Sequence, residues 1–279
     1  MLKKASFWVV LSFIMIVSIT SCSRFNRIAK STDMNMKYEA AMKYYNSKKY
    51  YQALQLFEEL ISVFKGTARA EQTYYYYCKS YYATEEYQTA AYHLDNFIKT
   101  FPNSEHAEEC QYLNAYCYYL DSPIYSLDQT STNDAIKQFQ LFINRYPKSE
   151  RVEECNKLID KLRYKLETKA FMNAKLFYKM EEYKSATISF SNVIKDFPTT
   201  QYQEECMFLM IKATYKYAEN SIESKKKSRY KEAVENYYKL VDAFPESKYL
   251  RESESIFKDS KKEIEKLEKL EKEKLVSLN

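Results

Sequence analysis

The chain has 279 residues, a formal net charge of +5 and 46% hydrophobic content, with five prolines and a single glycine, Gly66. Phosphate-cradling loops, dinucleotide folds and nucleophile elbows need several glycines, because only a residue without Cβ lets backbone approach a phosphate closely, so these classes are excluded by count. An all-β chain would need more turn residues too, which leaves a helical protein. Its 29 tyrosines suit that reading, since Tyr buries a ring between packed helices and keeps a polar tip.

The first element is a targeting segment. Lys3 and Lys4 precede an apolar run from Phe7 to Ile19, followed by Thr20, Ser21 and Cys22. A basic start, a short apolar core and small residues describe a secretory signal over residues 1–21. The run is too short for a comfortable span of roughly 20 residues. Ile19-Thr20-Ser21-Cys22 resembles a bacterial lipobox, which implies a Cys22 that is diacylglycerylated and becomes the new N-terminus. The alternative is an ordinary signal or helix anchor with an incidental Cys. Cleavage would remove Lys3 and Lys4 and lower the charge to +3, so nucleic acid is not an expected partner. Residues 22–35 read as a linker.

A repeat occupies residues 36–250. Ala is followed twelve residues later by Pro in Ala90/Pro102, Ala135/Pro147, Ala186/Pro198 and Ala233/Pro245. Between them stand Leu94, Phe139, Phe190 and Tyr237, and an aromatic precedes each Pro: Phe101, Tyr146, Phe197 and Phe244. A degenerate copy with Ala53, Phe57 and Phe64 ends at Lys65-Gly66, without Pro. Twelve residues before the Ala come Ala41, Cys78 and Ala174, small enough to let two helices approach closely. The pattern resembles the tetratricopeptide repeat, a helical hairpin of about 34 residues. The expected fold is therefore all-α, a tetratricopeptide-like solenoid of about five repeats.

The key alanines are 37, 45, 51 and 47 residues apart, so three intervals are stretched. The first stretched interval contains Asp121-Ser122-Pro123 through Asn133, which reads as a loop. Arg151 to Met180 lacks Pro and Gly, and lengthened first helices are expected in repeats four and five, the latter breaking near Ser224–Ser228. Residues 251–279 form a charged C-terminal helix or tail with Ile264, Leu267 and Leu270, either capping the array or solvated.

Cys110, Cys155 and Cys206 each lie eight residues after a repeat Pro and follow Glu-Glu. Recurrence in step with a repeat marks a packing slot, so free buried thiols are expected rather than disulfides. His93 and His106 have no zinc-like spacing to Cys, so no metal and no cofactor are expected. Adjacent carboxylates such as Glu108/Glu109 point in different directions on a helix, and no enzyme is expected.

Tyr74 to Tyr77 with Tyr81 and Tyr82 form the densest aromatic cluster. On a tetratricopeptide first helix Tyr77 and Tyr81 should face the core, and Tyr75 and Tyr82 the concave groove. The same count places Tyr38, Met42 and Tyr45 in repeat one, and Phe171, Lys175 and Tyr178 in repeat four. Such a groove binds an extended peptide or a partner helix. Lys79, between Tyr75 and Tyr82, would meet a terminal carboxylate. The competing reading has these tyrosines packing only on neighbouring helices.

The lipobox at Cys22, the Tyr50–Phe64 repeat, Phe97-Ile98-Lys99-Thr100-Phe101-Pro102, Tyr125-Ser126-Leu127-Asp128 in the insertion, Leu141 through Ser149, and Val193 through Pro198 together carry a second resemblance. Over residues 36–250 the chain resembles the BamD-type outer-membrane β-barrel assembly lipoproteins. It departs from them at Gly66, in the tyrosine-rich second repeat and in the charged tail. The resemblance implies a lipid-anchored scaffold on the outer membrane, facing the periplasm of a bacterium. It also implies two partners: a BamA-like assembly subunit and unfolded outer-membrane proteins. A tetratricopeptide scaffold of another envelope complex, or a peptidoglycan-binding activator, would share these features.

Overall fold

The computed structural model describes residues 24–277, and no strand occurs among them. After a short helical turn over residues 24–29, the helices follow as α1 (Met34–Asn46), α2 (Tyr50–Val63), α3 (Ala70–Ala83), α4 (Tyr87–Thr100), α5 (Ala107–Asp121) and α6 (Thr130–Arg145). They continue with α7 (Val152–Lys179), α8 (Tyr183–Asp196), α9 (Gln203–Glu219), α10 (Glu223–Ala243) and α11 (Leu250–Ser277). Odd and even helices up to α10 are the first and second members of the five repeats.

The Pro at the end of a repeat explains where second helices stop. A residue before Pro is sterically barred from the α region. Phe101, Tyr146, Phe197 and Phe244 accordingly leave it, with ψ between 60° and 72°. Phe64, which no Pro follows, keeps ψ 0°, and the chain turns instead through Gly66 at φ +79°. In repeats one, two and four the turn between the two helices also passes through left-handed backbone, yet at non-glycine residues: Lys48, Glu85 and Glu181, with φ of 58°, 63° and 62°.

Two compact units result. One runs to Pro123 and takes in Asp128–Leu162; the other comprises Ile124–Leu127 and the chain from Arg163, so the division falls inside α7. In the first unit Phe57, Leu60, Ala41 and Ala53 form one core, and Leu94, Phe97, Phe139 and Phe142 form another around Cys78, Ala90, Ala115 and Ala135. In the second, Phe171 and Phe190 enclose Ala174, Ala186 and Cys206. Phe208, Ile211 and Leu240 form a further group there, and Ala218 and Tyr230 meet Ile264 and Leu267 of α11. Each fully buried Phe contributes about 1.5–3 kcal/mol of transfer free energy. The five repeat alanines are at most 1% exposed, since a larger side chain would push the helices of each hairpin apart.

The stretched intervals resolve in three ways. Between α5 and α6 the irregular segment is residues 122–129, because residues 130–133 join the helix. In repeat four α7 extends to 28 residues. In repeat five the extra length is shared, 17 residues in α9 and 21 in α10, and the chain turns at residues 220–222 rather than near Ser224–Ser228.

Candidate functional site

One face of the first helices carries a device that repeats five times. It starts with an aromatic ring: Tyr38, Tyr75, Tyr112, Phe171 and Phe208. A residue at the start of the next repeat lies over that ring. His106 stacks on Tyr75 with centroids 3.9 Å apart, Tyr202 on Phe171 at 4.3 Å and Tyr249 on Phe208 at 4.3 Å. Where the covering residue is Arg, its guanidinium sits 5.2 Å above Tyr38 (Arg69) and 4.4 Å above Tyr112 (Arg151). Both arrangements satisfy the electron-rich ring face, by stacking or by a cation.

Local backbone chemistry sets each covering residue. Its N–H donates to the hydroxyl of a Ser or Thr two positions earlier: Arg69 to Thr67, His106 to Ser104, Arg151 to Ser149, Tyr202 to Thr200 and Tyr249 to Ser247. These hydroxyl-closed turns lie just after the repeat Pro, or after Gly66 in repeat one.

An acceptor three residues beyond the covering residue completes the device. Tyr38 donates to Gln72 at 2.7 Å, Tyr75 to Glu109 at 2.7 Å and Tyr112 to Glu154 at 3.0 Å. A lysine one turn after the ring pairs with the same carboxylate: Lys79 with Glu109 at 2.5 Å, Lys175 with Glu205 at 3.0 Å and Lys212 with Glu252 at 2.7 Å. Burial works to raise the Glu109 carboxyl. The hydrogen bonds from Lys79 and Tyr75 and the charges of Lys79 and Arg151 outweigh it and hold the group below its usual range. Tyr75 is pushed well up, first by burial and then by Glu109.

This geometry sorts the residues expected to form a peptide groove. Tyr75 is a correction: only 8% exposed, it is roofed by His106 and belongs to the joint between repeats two and three. Lys79 is not a lone cation, because Glu109 already neutralises it. Tyr38, Met42, Tyr45 and Tyr82 are half-buried. Tyr38 packs edge-on against Phe64 at 6.0 Å, and Tyr45 packs on Tyr50 and Tyr76 at 5.5 and 4.9 Å. Burial pushes the Tyr45 hydroxyl up to about 12. Tyr82 makes one ring contact, a tilted one with Tyr87 at 6.2 Å. In repeat four Phe171 is buried, Lys175 is paired and Tyr178 packs on Tyr183. Tyr77 is buried, whereas Tyr81 is half-buried and stacks on His93.

The covering residues and the Ser or Thr that aim them were not singled out from sequence. Their signal was present, as a hydroxyl two residues after each Pro: Ser104, Ser149, Thr200 and Ser247. Cys22 and the residues before it lie outside the described residues. Cys78, Cys110, Cys117, Cys155 and Cys206 are buried free thiols. Cys110, Cys155 and Cys206 share a slot with Thr73 and Ser253, all five fully buried one residue after the acceptor. Among the described residues no cluster of three or more His, Cys, Asp or Glu could hold a metal, and no helix is long and apolar enough to cross a membrane.

Comparison with known proteins identifies the family of the chain. Residues 30–230 match the YfiO family, described as outer membrane lipoprotein, and the chain belongs to that family. No curated protein matches the chain. Among solved structures, one similar to it is the TPR2AB-domain:pHSP90-complex of yeast Sti1, at 11% identity and a TM-score of 0.37. That alignment covers 82% of this chain and 98% of the other.

Proposed function

We propose that this outer membrane lipoprotein is a non-enzymatic scaffold of the machinery that assembles β-barrel proteins into the outer membrane. It would be held by acyl chains on Cys22 and face the periplasm. Its repeats would dock the periplasmic part of a BamA-like barrel subunit and receive unfolded segments of barrel proteins. The observation that carries this reading is the family match over residues 30–230, on a chain built of helical repeats whose first helices present half-buried aromatics.

Barrel strands alternate apolar and polar residues and carry aromatic girdles. The edges of Tyr38, Met42, Tyr45 and Tyr82 offer apolar anchors for such a segment. Lys79 with Glu109 offers a charge pair beside them, suited to polar backbone or side chains rather than to a bare carboxylate.

An affinity pull-down of the acylated chain from solubilised membranes tests the assignment. Recovery of a barrel-assembly subunit is the expected result. Recovery of a different envelope complex without that subunit would replace this reading with the other scaffold reading. Cys22→Ala should release the chain from membranes or leave its precursor uncleaved; unchanged processing and retention would refute the acylation site.

A further inference from the structure

At the N-terminal end of the first unit, the helical turn of residues 24–29, α1 and the turn that follows it border an open cavity of about 660 Å³. Arg24, Arg27, Lys43 and Lys49 line it, against one carboxylate, Glu39. Ile28, Met36, Ala40 and Tyr44 supply its apolar lining, the last packed edge-on against Phe25 at 5.6 Å. A second depression of about 450 Å³ shares Lys49 with it and adds Lys48, Tyr51 and one carboxylate, Glu85. None of these five cations has a carboxylate partner among the described residues, although lysines elsewhere in the chain repeatedly do. Tyr51 is 64% exposed.

We infer that this end of the molecule is a binding surface for the phosphate headgroups of anionic lipids in the bilayer to which the chain is attached. Three observations converge on that occupant. Unpaired cations interleaved with apolar lining residues match a phosphate joined to a glycerol backbone, with an ionic head and an apolar body. An exposed Tyr beside two lysines is the composition found at membrane–water interfaces. Third, Arg24 lies two residues from Cys22, a reach of at most about 7 Å, so acyl chains there would hold the cavity against the headgroups. This last step rests on the acylation of Cys22 proposed above. The consequence is orientational: the lipid chains tether, while the cations fix which end of the first repeat lies on the membrane. Cations near an anionic surface add to an acyl anchor, and each contributes separately.

The test uses the mature chain from residue 22 with Cys22→Ala, which carries no acyl group and keeps every residue of both packed units. Co-sedimentation compares vesicles of phosphatidylglycerol with phosphatidylethanolamine against vesicles of phosphatidylcholine. Binding to the anionic vesicles only, weakening with added salt, is expected. The triple variant Arg27→Gln, Lys43→Gln and Lys49→Gln should bind at least about tenfold more weakly. A control removing the same charge from α11, Lys261→Gln, Lys262→Gln and Lys272→Gln, should change binding little. Equal binding to both vesicles, equal loss in both triple variants, or full displacement by millimolar inorganic phosphate would each overturn the proposal, the last by making this a free-phosphate site. Should the triple variant lose helicity, the single variants Arg27→Gln and Lys43→Gln locate the surface instead, each expected to weaken binding to the anionic vesicles by several-fold, and unchanged binding in both would overturn the proposal. Since the assay needs no acyl chain, the mass of the native N-terminal residue reports on Cys22 separately, and either idea can fail alone.

Discussion

Tyr75 lies flat on His106, ring centroids 3.9 Å apart and planes 12° from parallel, while its hydroxyl donates to Glu109 at 2.7 Å. One side chain of repeat two thus holds two residues of repeat three. Tyr75→Ala should cost about 3–5 kcal/mol, as for a buried aromatic. Tyr75→Phe keeps the stack and leaves Glu109 with Lys79, so the loss should be about 1 kcal/mol. Denaturant unfolding of the two variants checks this. Equal losses would mean that the hydroxyl, rather than the ring, carries the joint.

The tyrosines also set how the chain responds to alkali. Burial, the largest cause in each case, pushes Tyr45, Tyr215 and Tyr230 up to about 12. A phenol with a raised folded-state pKa stabilises the native chain fully below its unfolded value, about 10, and loses that contribution as pH rises toward the folded value. Glu109 acts in the opposite sense, since its lowered pKa gives stability above the usual carboxylate range that fades as pH falls through the folded value. Melting temperature should therefore be flat near neutrality and fall at both extremes. Tyrosinate absorbance should show a late-titrating group in the native chain that merges with the rest in denaturant. A single native titration near 10 would contradict it.

The cysteines should be inert. Burial pushes Cys110, Cys117 and Cys206 up to about 12 and Cys155 to about 11, and raises Cys78 as well. Alkylation needs an accessible thiolate. Mass spectrometry after brief alkylation of the native chain should find all five unmodified, and all five modified after unfolding. Native labelling at Cys110, Cys155 or Cys206 would show that the slot they share with Thr73 and Ser253 is open.

What was legible in the sequence followed from sterics that repeat. Ala90, Ala135, Ala186 and Ala233 announce the helix contact, and the Pro after each announces where the second helix must end. The thiols could be read as packing groups because they recur in step with those prolines. Tyr75 was harder to place. A helical count gives the face on which a side chain stands, and whether that face is covered depends on the next repeat. The covering residue changes type between His106, Arg151, Tyr202 and Tyr249, so no single residue pattern marks it. The insertion hid Ala115, the counterpart of Ala41 and Cys78, in the same way, by shifting the spacing used to find it. In repeat five Ile211 stands at that position, so a search for small residues misses it too.

A chain with one glycine must turn its helices with other residues. Glu85 and Glu181 hold φ of 63° and 62° between the two helices of their repeats. Left-handed backbone costs a residue with Cβ about 1–2 kcal/mol, part of which glycine returns through its larger unfolded-state entropy. Glu85→Gly and Glu181→Gly should each raise stability by about 0.5–1 kcal/mol. A rise in the denaturation midpoint at unchanged slope is the expected reading. A fall would mean that the glutamate side chains contribute more than their backbone costs.

The substrate face can be separated from the joints between repeats because the two draw on different side chains. Tyr75 and Lys79 are committed to His106 and Glu109, so substitutions there confound folding with binding. Met42 and Tyr82 are half-buried and outside the stacked pairs; each packs with part of its side chain on the local core, and the one ring contact of Tyr82 among the described residues is the tilted one with Tyr87. Met42→Ala with Tyr82→Ala should therefore weaken crosslinking to an unfolded barrel segment several-fold while leaving helicity and the membrane pull-down unchanged, as expected for rim anchors worth about 1–2 kcal/mol each. Lys79→Met, by contrast, strands Glu109 with Tyr75 as its remaining close donor, and should lower the melting temperature as well as any binding. If the Met42/Tyr82 variant folds and crosslinks as the unaltered chain does, the unfolded segment is received elsewhere, and the tyrosines of the first two repeats serve packing alone.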